Sequence, residues 1–408
     1  MDKIYDICCG IDVHKKLIVA CLNHKRKKEL REFGATTREL MELAEWLQKN
    51  KCEIVAMEST GSYWKPLYNI MESYGLHAIV VNPAHMKAVP GRKTDVKDAE
   101  WIAELLQHGL LQPSYIPSKD QRELRELVQY RKSLVGERTR ELNRLQKMLE
   151  GANIKLSGTV TNINGKSARK ILEYILSGNE IDEKKYDEMY EEKLKASKEQ
   201  ILDDLKGFMS PLQRRMLKEL LQHLDELNVH IENLNDEIDN FMKPEEKQAS
   251  QVIQDVTGIG NTSAQTIIAV IGTDMERFPS DRHISSWAGL CPGDNVSAKK
   301  RKSGKIRKGN ALLKSTLVLC AHAAVRHKSS YFHAQFKRIS THRGKKRAYV
   351  AVAHSILIAI YHILKDGVKY QDLGAEYYNQ FNAERKIHAY LKKLKALGWE
   401  PPKEAVPA

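Results

Sequence analysis

ICCGIDVHKKLIVACL, residues 7–22, holds two short apolar runs rich in β-branched residues and cysteine, parted by a polar turn. That pattern predicts a β-hairpin. Asp12 lies at the end of its first run. Outward from the hairpin, a third strand is expected around residues 30–33. A helix capped by Thr37 should then run to about Gln48, because Leu40, Leu43, Ala44 and Leu47 recur at helical spacing. A strand at 53–58, a helix at 63–74, a strand at 77–81 and an amphipathic helix at 95–108 follow.

The order β-β-β-α-β-α-β-α matches a ribonuclease H-like or RuvC-like sheet, so the fold class expected for residues 1–118 is α/β. Residues 119–247 read as a helical coiled-coil region. Its first helix carries Leu124, Leu127, Leu134, Leu142, Leu145 and Leu149 along one side, and residues 157–195 are polar and less regular. Ser210 and Pro211 open a second helix as N-cap and first helical residue, with Gln213 third. Leu220, Leu224, Leu227, Ile231, Leu234, Ile238 and Phe241 then alternate steps of four and three. That spacing suits an arm packed against another chain as well as it suits a helical hairpin within one chain.

Residues 248–408 should form a mostly helical third domain. VTGIG, residues 256–260, precedes a small apolar run and has the form of a helix-hairpin-helix turn, with Gly258 and Gly260 able to bring backbone N–H groups to a phosphate. Farther on, Lys299, Lys300, Arg301, Lys302, Lys305, Arg307 and Lys308 make seven of ten consecutive residues basic. This reads as a flexible loop that attracts polyanions. The whole chain agrees, with 66 Lys and Arg against 52 Asp and Glu, a net charge of +14 and a pI near 9.3. Charge alone does not separate DNA from RNA.

The six cysteines form no C-x-x-C pair, which argues for reduced structural thiols and against a zinc knuckle. The N-terminal residues lack the apolar stretch of a signal segment, and no run of about 18 apolar residues suggests a membrane span. The expected location is the cytoplasm.

Four carboxylates stand where phosphoryl-transfer chemistry needs them. Asp12 lies in or just after the first strand, Glu58 ends the strand at 53–58, and Asp95 and Asp98 lie three apart on one face of the helix at 95–108. Hard oxygen ligands of this kind suit Mg2+ or Mn2+, which can clamp the attacking and leaving oxygens of a phosphodiester. Each residue taken singly also suits a capping or turn role; the set of four is harder to explain that way.

GIDV (10–13), MESTGSYW (57–64), VNP (81–83) and KTDVKDA (93–99) together resemble the DEDD domain of the insertion-sequence 110 family of transposases. VTGIG (256–260) and WAGLCP (287–292) resemble that family's second transposase domain. The resemblance implies a metal site at Asp12, Glu58, Asp95 and Asp98 working with a serine nucleophile in the C-terminal domain, by position Ser297, with Ser303 as the alternative. It further implies donor and target DNA, a non-coding bridge RNA, and a homo-oligomer, dimer or tetramer, in which the complete site joins domains of different protomers. Two other readings stay open at this level. One is a metal-dependent junction endonuclease that uses water, the other a non-catalytic nucleic-acid-binding scaffold.

Overall fold

The structure is a computed structural model that describes residues 3–24, 27–59, 61–83, 98–160, 162–178, 197–292, 295–297, 300–303, 306–378 and 383–399. It divides into two compact units, residues 1–118 and 119–408.

The first unit is built on a six-stranded mixed sheet. In chain order its elements are β1 (Ile7–Val13), β2 (Leu17–His24), β3 (Lys27–Gly34), α1 (Thr37–Lys49), β4 (Ile54–Glu58), α2 (Trp64–Ser73), β5 (Ala78–Val81), α3 (Asp98–Gln107) and β6 (Pro113–Ser114). The spatial order is β3-β2-β1-β4-β5-β6. β1 to β3 form an antiparallel meander, while β4 and β5 run parallel to β1. The expected α/β order holds, and the two-residue β6 is an addition to it. Helix α1 starts one residue earlier than the sequence suggested: Thr36, not Thr37, is its N-cap. The physical reason is Glu39, which stands third from Thr36. Its carboxylate accepts from the Thr36 hydroxyl at 2.5 Å and from the Gly34 N–H at 3.1 Å, closing the turn.

Period-two alternation divides the side chains of the central strands. Cys9, Ile11, Val13, Val55 and Met57 enter a core with Leu43 and Leu47 of α1 and Leu67 and Met71 of α2. Cys8, Ile54 and Ala56 face the other way, against Ile102, Leu105 and Leu106 of α3. Both faces of β1 and β4 are therefore covered, which explains why those strands are apolar almost throughout.

Among the described residues the second unit is mostly helical, with one β-ribbon. Its elements are α4 (Lys119–Gly151), α5 (Leu156–Thr159), α6 (Lys166–Leu176), α7 (Lys198–Asp204), α8 (Pro211–Phe241), α9 (Pro244–Ile253), α10 (Asn261–Ile271), α11 (Asp281–Trp287), β7 (Asn295–Ser297), β8 (Lys300–Ser303), α12 (Ala311–Ala324), α13 (Tyr331–Arg343), α14 (Lys345–Asp366) and α15 (Ala383–Ala396). Ser210 caps α8 as expected: Gln213 N–H donates to its hydroxyl at 3.2 Å and the Gln213 side chain accepts from Ser210 N–H at 2.9 Å.

Helices α4 and α8 pack antiparallel within the chain. Leu145 and Leu149 share a cluster with Leu217, Leu221 and Leu224, while Leu134 meets Leu227, Ile231 and Leu234. The base of this pair, Leu124, Val128 and Ile238, belongs to one core with the C-terminal helices.

Polar contacts reinforce that base. Arg131 of α4 is 2% exposed and donates to Asn235 Oδ1 at 2.9 Å, Gln265 Oε1 at 2.5 Å, Thr262 O at 3.0 Å and Thr266 Oγ1 at 3.3 Å. Burial pulls its guanidinium down to about 10, with Asp239 acting in the opposite direction. Earlier on α4, Gln121 and Arg125 donate to the Ala269 carbonyl, and Arg125 also reaches Val270 O. Helix α4 thus holds α10 at its start and supplies donors to carbonyls its last turn leaves free.

Helix α14 is long and apolar enough by length and composition to cross a membrane, although no unbroken apolar run of about 18 residues underlies it. Val352, Ala353, Ile356, Leu357 and Ile360 of that helix lie in the core of the second unit.

Candidate active site

The site begins from register. β1 and β4 are adjacent parallel strands whose last registered pair is Ile11 with Met57, so Asp12 and Glu58 follow side by side at the C-terminal end of the sheet. Alternation turns both to the α3 face, because they continue the series Cys8, Gly10, Asp12 and Ile54, Ala56, Glu58.

Helix α3 runs antiparallel to β1 across that face. Its C-terminal Gln107 carbonyl accepts from Ile4 N–H at 2.9 Å, before β1 begins. Its middle passes so close to Gly10 that a Cβ there would stand 2.2 Å from Ala103 N and 2.5 Å from Ala99 O. The first residue of α3, Asp98, accordingly lies at the same end of the sheet as Asp12 and Glu58. Gly10 is what permits the approach. Asp98 is exposed and Glu58 half-buried, while the Asp12 side chain is 17% exposed.

His14 is the residue the sequence reading missed. Its Nε2 lies 3.0 Å from Asp12 Oδ2. A histidine two positions beyond a strand-end carboxylate shares its face, so the period-two spacing was a usable signal. The fourth expected carboxylate, Asp95, falls outside the described residues. Among the described residues no group of three or more His, Cys, Asp or Glu is gathered closely enough to hold a metal ion. The donor set of Asp12, Glu58 and Asp98 nevertheless fits a hard divalent cation: carboxylate oxygens, on one face and at one end of the sheet.

In the second unit, the basic stretch expected to be a loop is in part a β-ribbon. β7 and β8 pair antiparallel, with Ser297 opposite Lys300 and Asn295 opposite Ser303. Lys300, Arg301 and Lys302 lie on β8, Arg307 and Lys308 are exposed beyond it, and Lys299 and Lys305 fall outside the described residues. A tight crossing pins the ribbon's base. A Cβ on Gly309 would meet Gly289 N at 2.3 Å, and Arg307 N–H donates to Cys291 O at 3.2 Å. This pairing between strands of the same chain is the reason a lysine-rich stretch can adopt strand geometry.

The turn between α9 and α10 contains both candidate glycines. Gly258 has φ +94° and sits against α12, where a Cβ would meet Cys320 O at 2.5 Å. Gly260 is the N-cap of α10, and a Cβ there would meet nothing within 4 Å.

Comparison with known proteins follows the same two-part division. Residues 9–154 match the DEDD transposase profile of IS110, described as "Transposase". Residues 250–337 match the profile described as "Transposase IS116/IS110/IS902 family". The transposase for insertion sequence element IS1111A of Coxiella burnetii is 24% identical over 85% of this chain and 83% of its own length. A putative transposase, y4pF/y4sB, of Sinorhizobium fredii is 23% identical over 81% of this chain and 77% of its own. Among solved structures, Thermus thermophilus RuvC in complex with a Holliday junction substrate matches 27% of this chain and all of its own, at 12% identity and a TM-score of 0.21. With both profiles matched in order over more than half of its length, the chain belongs to the IS110 family of transposases.

Proposed function

We propose that this protein is an RNA-guided DNA recombinase that cuts, exchanges and rejoins DNA strands at insertion-sequence ends. The observation that carries the reading is the adjacency of Asp12 and Glu58 at the end of two parallel central strands, with the helix of Asp98 crossing the same face. Helix-capping roles do not account for that arrangement, since Asp12 lies within β1, one residue before its end, and Glu58 is the last residue of β4.

Asp12, Glu58 and Asp98 would hold Mg2+ or Mn2+, with Asp95 the fourth ligand. Such an ion supplies charge stabilisation at phosphorus and lowers the pKa of a bound hydroxyl. The chain's own groups do the rest. His14, 3.0 Å from Asp12, fixes that carboxylate's orientation through one oxygen and leaves the other to a ligand. Lys300, Arg301, Lys302, Arg307 and Lys308, with Lys299 and Lys305, attract the DNA backbone and offset negative charge as it builds on the phosphate. The backbone N–H groups at Gly258 and Gly260 are candidates for further phosphate contacts, Gly260 because it opens α10 on free space.

Ser297 is the proposed nucleophile and Ser303 the alternative. Its Oγ–P bond forms as the P–O bond to one DNA end breaks; the hydroxyl proton passes to a base and the leaving oxygen takes one up. The phosphoserine ester conserves the bond's energy, so a second DNA end can reverse the attack without a nucleotide cofactor. Guidance by a bridge RNA, and a dimeric or tetrameric working form, are proposed from the family resemblance. Sequence choice delegated to base pairing would leave little base-reading code in the protein.

The test is strand exchange between two DNA duplexes, one carrying a junction and one a target, by protein purified with the RNA that accompanies it. Exchange should require that RNA and a divalent metal, and the recovered RNA should be complementary to both duplexes. Hydrolysis without exchange would favour the water-using junction nuclease. Metal-independent binding without cleavage would favour the scaffold.

A further inference from the structure

From Asn295 to Lys365 the chain has no acidic residue, yet it holds 17 of the 66 Lys and Arg. That leaves 49 basic against 52 acidic residues elsewhere, so the protein's whole positive excess resides in this stretch. The basic ribbon accounts for only part of it.

A second concentration surrounds the turn between α13 and α14. Lys337, Arg338, Arg343, Lys345, Lys346 and Arg347 are all exposed there. Among the described residues none of the six is paired with a carboxylate; Arg338 instead lies over the Tyr378 ring, 4.8 Å from its centre. Lys345, Lys346 and Arg347 occupy the first turn of α14, where the helix dipole favours the opposite charge. The N-cap, Gly344, has φ +79° and offers no side-chain acceptor to the free N–H groups. Helix stability therefore gives no reason for three cations at this point. An external anion does, because it meets side-chain charge and helix N–H groups together.

The turn stands on a packed frame. Tyr349 of α14 lies 4.5 Å from Phe336 of α13 and stacks at 3.6 Å on His322 of α12, ring centre to ring centre. Three helices are tied together beneath the cations, so little backbone ordering is needed when a ligand arrives.

We propose that the α13–α14 turn is a second phosphate-binding surface, distinct in sequence from the ribbon, that grips a nucleic-acid backbone without reading bases. Six exposed cations shared between the end of α13 and the start of α14 suit a chain of phosphodiesters better than one small anion. This inference rests on the reading that the protein acts on nucleic acids and deepens it by naming where the backbone is held.

The experiment measures affinity for a duplex DNA and for a hairpin RNA, each at salt concentrations from about 50 to 200 mM, for wild type and for the combined Lys345→Ala, Lys346→Ala, Arg347→Ala variant. Because the three side chains are exposed, the variant should melt at or above the wild-type temperature. On the preferred nucleic acid its log–log salt slope should fall by about one unit per lost contact, and affinity at low salt by at least tenfold. Replacing Lys345 and Lys346 by arginine should restore both. A fall on DNA alone assigns the surface to DNA, a fall on RNA alone to RNA, and a fall on both to either backbone. Unchanged slopes on both, with wild type binding normally, would overturn the surface. Wild type that binds neither would overturn the nucleic-acid reading and this proposal with it.

Discussion

Gly10→Ala tests the link between packing and the site. The added methyl would lie 2.2 Å from Ala103 N, 2.5 Å from Ala99 O and 2.8 Å from Ala103 Cα, all of them backbone atoms of α3. Comfortable separations are about 3.5 Å, so the helix must retreat by roughly 1 Å or the strand must bend. No flexible side chain can yield in their place. Overpacking of this kind costs about 1–3 kcal/mol, and backbone-to-backbone contact puts the variant at the upper end. For a unit of this size that is roughly a 10 °C fall in its melting temperature. The consequence for chemistry is larger. Asp98 precedes Ala99 on the displaced helix, and a misplacement of about 1 Å near reacting groups can lower rate about 100-fold.

Ile11→Val provides the control, because Ile11 faces the α1 and α2 core and its loss of one methyl costs about 1 kcal/mol without touching α3. Differential scanning fluorimetry and the rate of DNA strand cleavage should separate the two variants. Gly10→Ala loses turnover even well below its melting point, whereas Ile11→Val keeps it. If Gly10→Ala melts and cleaves like wild type, the close approach of α3 does not position Asp98 and the reasoning is wrong.

Three further outcomes follow from other parts of the molecule. Arg131→Ala should destabilise the second unit by about 3 kcal/mol in urea unfolding, since the acceptors on Asn235, Gln265 and Thr262 lose a buried donor; a loss below about 1 kcal/mol would show that water replaces it readily. Burial holds the His354 imidazole below its ordinary value of 6.5, so on acidification the unfolded chain takes up that proton before the folded one. Stability present above about pH 6.5 should therefore decline as pH falls below it, and a thermal-melt series on His354→Gln should show a flatter decline; equal slopes would contradict the assignment. Ser297→Ala should abolish a denaturation-resistant protein–DNA adduct while Ser303→Ala retains it, and the reverse pattern in a denaturing gel would move the nucleophile to Ser303.

Much of the first unit was legible because its signals are local. β1 was expected at Ile7–Val13 and occupies those residues, since an apolar run closed by a polar turn has few other solutions. The capping box at Ser210 was equally plain. Three features were not. Helix α6 does carry a periodic face of Ala168, Ile171, Leu172 and Ile175, but Gly165 before it offers no side-chain cap, and polar flanks obscured the period. The ribbon at β7 and β8 depends on pairing between strands and on the Gly289–Gly309 crossing, neither of which a lysine-rich stretch announces. Gly258 carried a backbone signal whose structural use, contact with α12, lies sixty residues away.

The candidate site shows the same division. Strand ends gave Asp12 and Glu58 their stations, because register between adjacent parallel strands follows from the apolar pattern. That Asp98 reaches the same end required knowing the direction in which α3 crosses, which Gly10 and the Ile4–Gln107 hydrogen bond reveal only in three dimensions. The α13–α14 cations were overshadowed by the denser basic run at residues 299–308.

The central claim is that the carboxylates at the sheet end drive DNA cleavage. Its most direct measurement is a denaturing-gel assay for covalent protein–DNA adduct, run with Mg2+, with Mn2+ and with chelator, on wild type and Asp12→Asn. Wild type should form adduct in either metal and none in chelator, and Asp12→Asn should form at least about a hundredfold less while retaining nucleic-acid affinity and melting temperature. Equal adduct from Asp12→Asn, or full adduct in chelator, would contradict it.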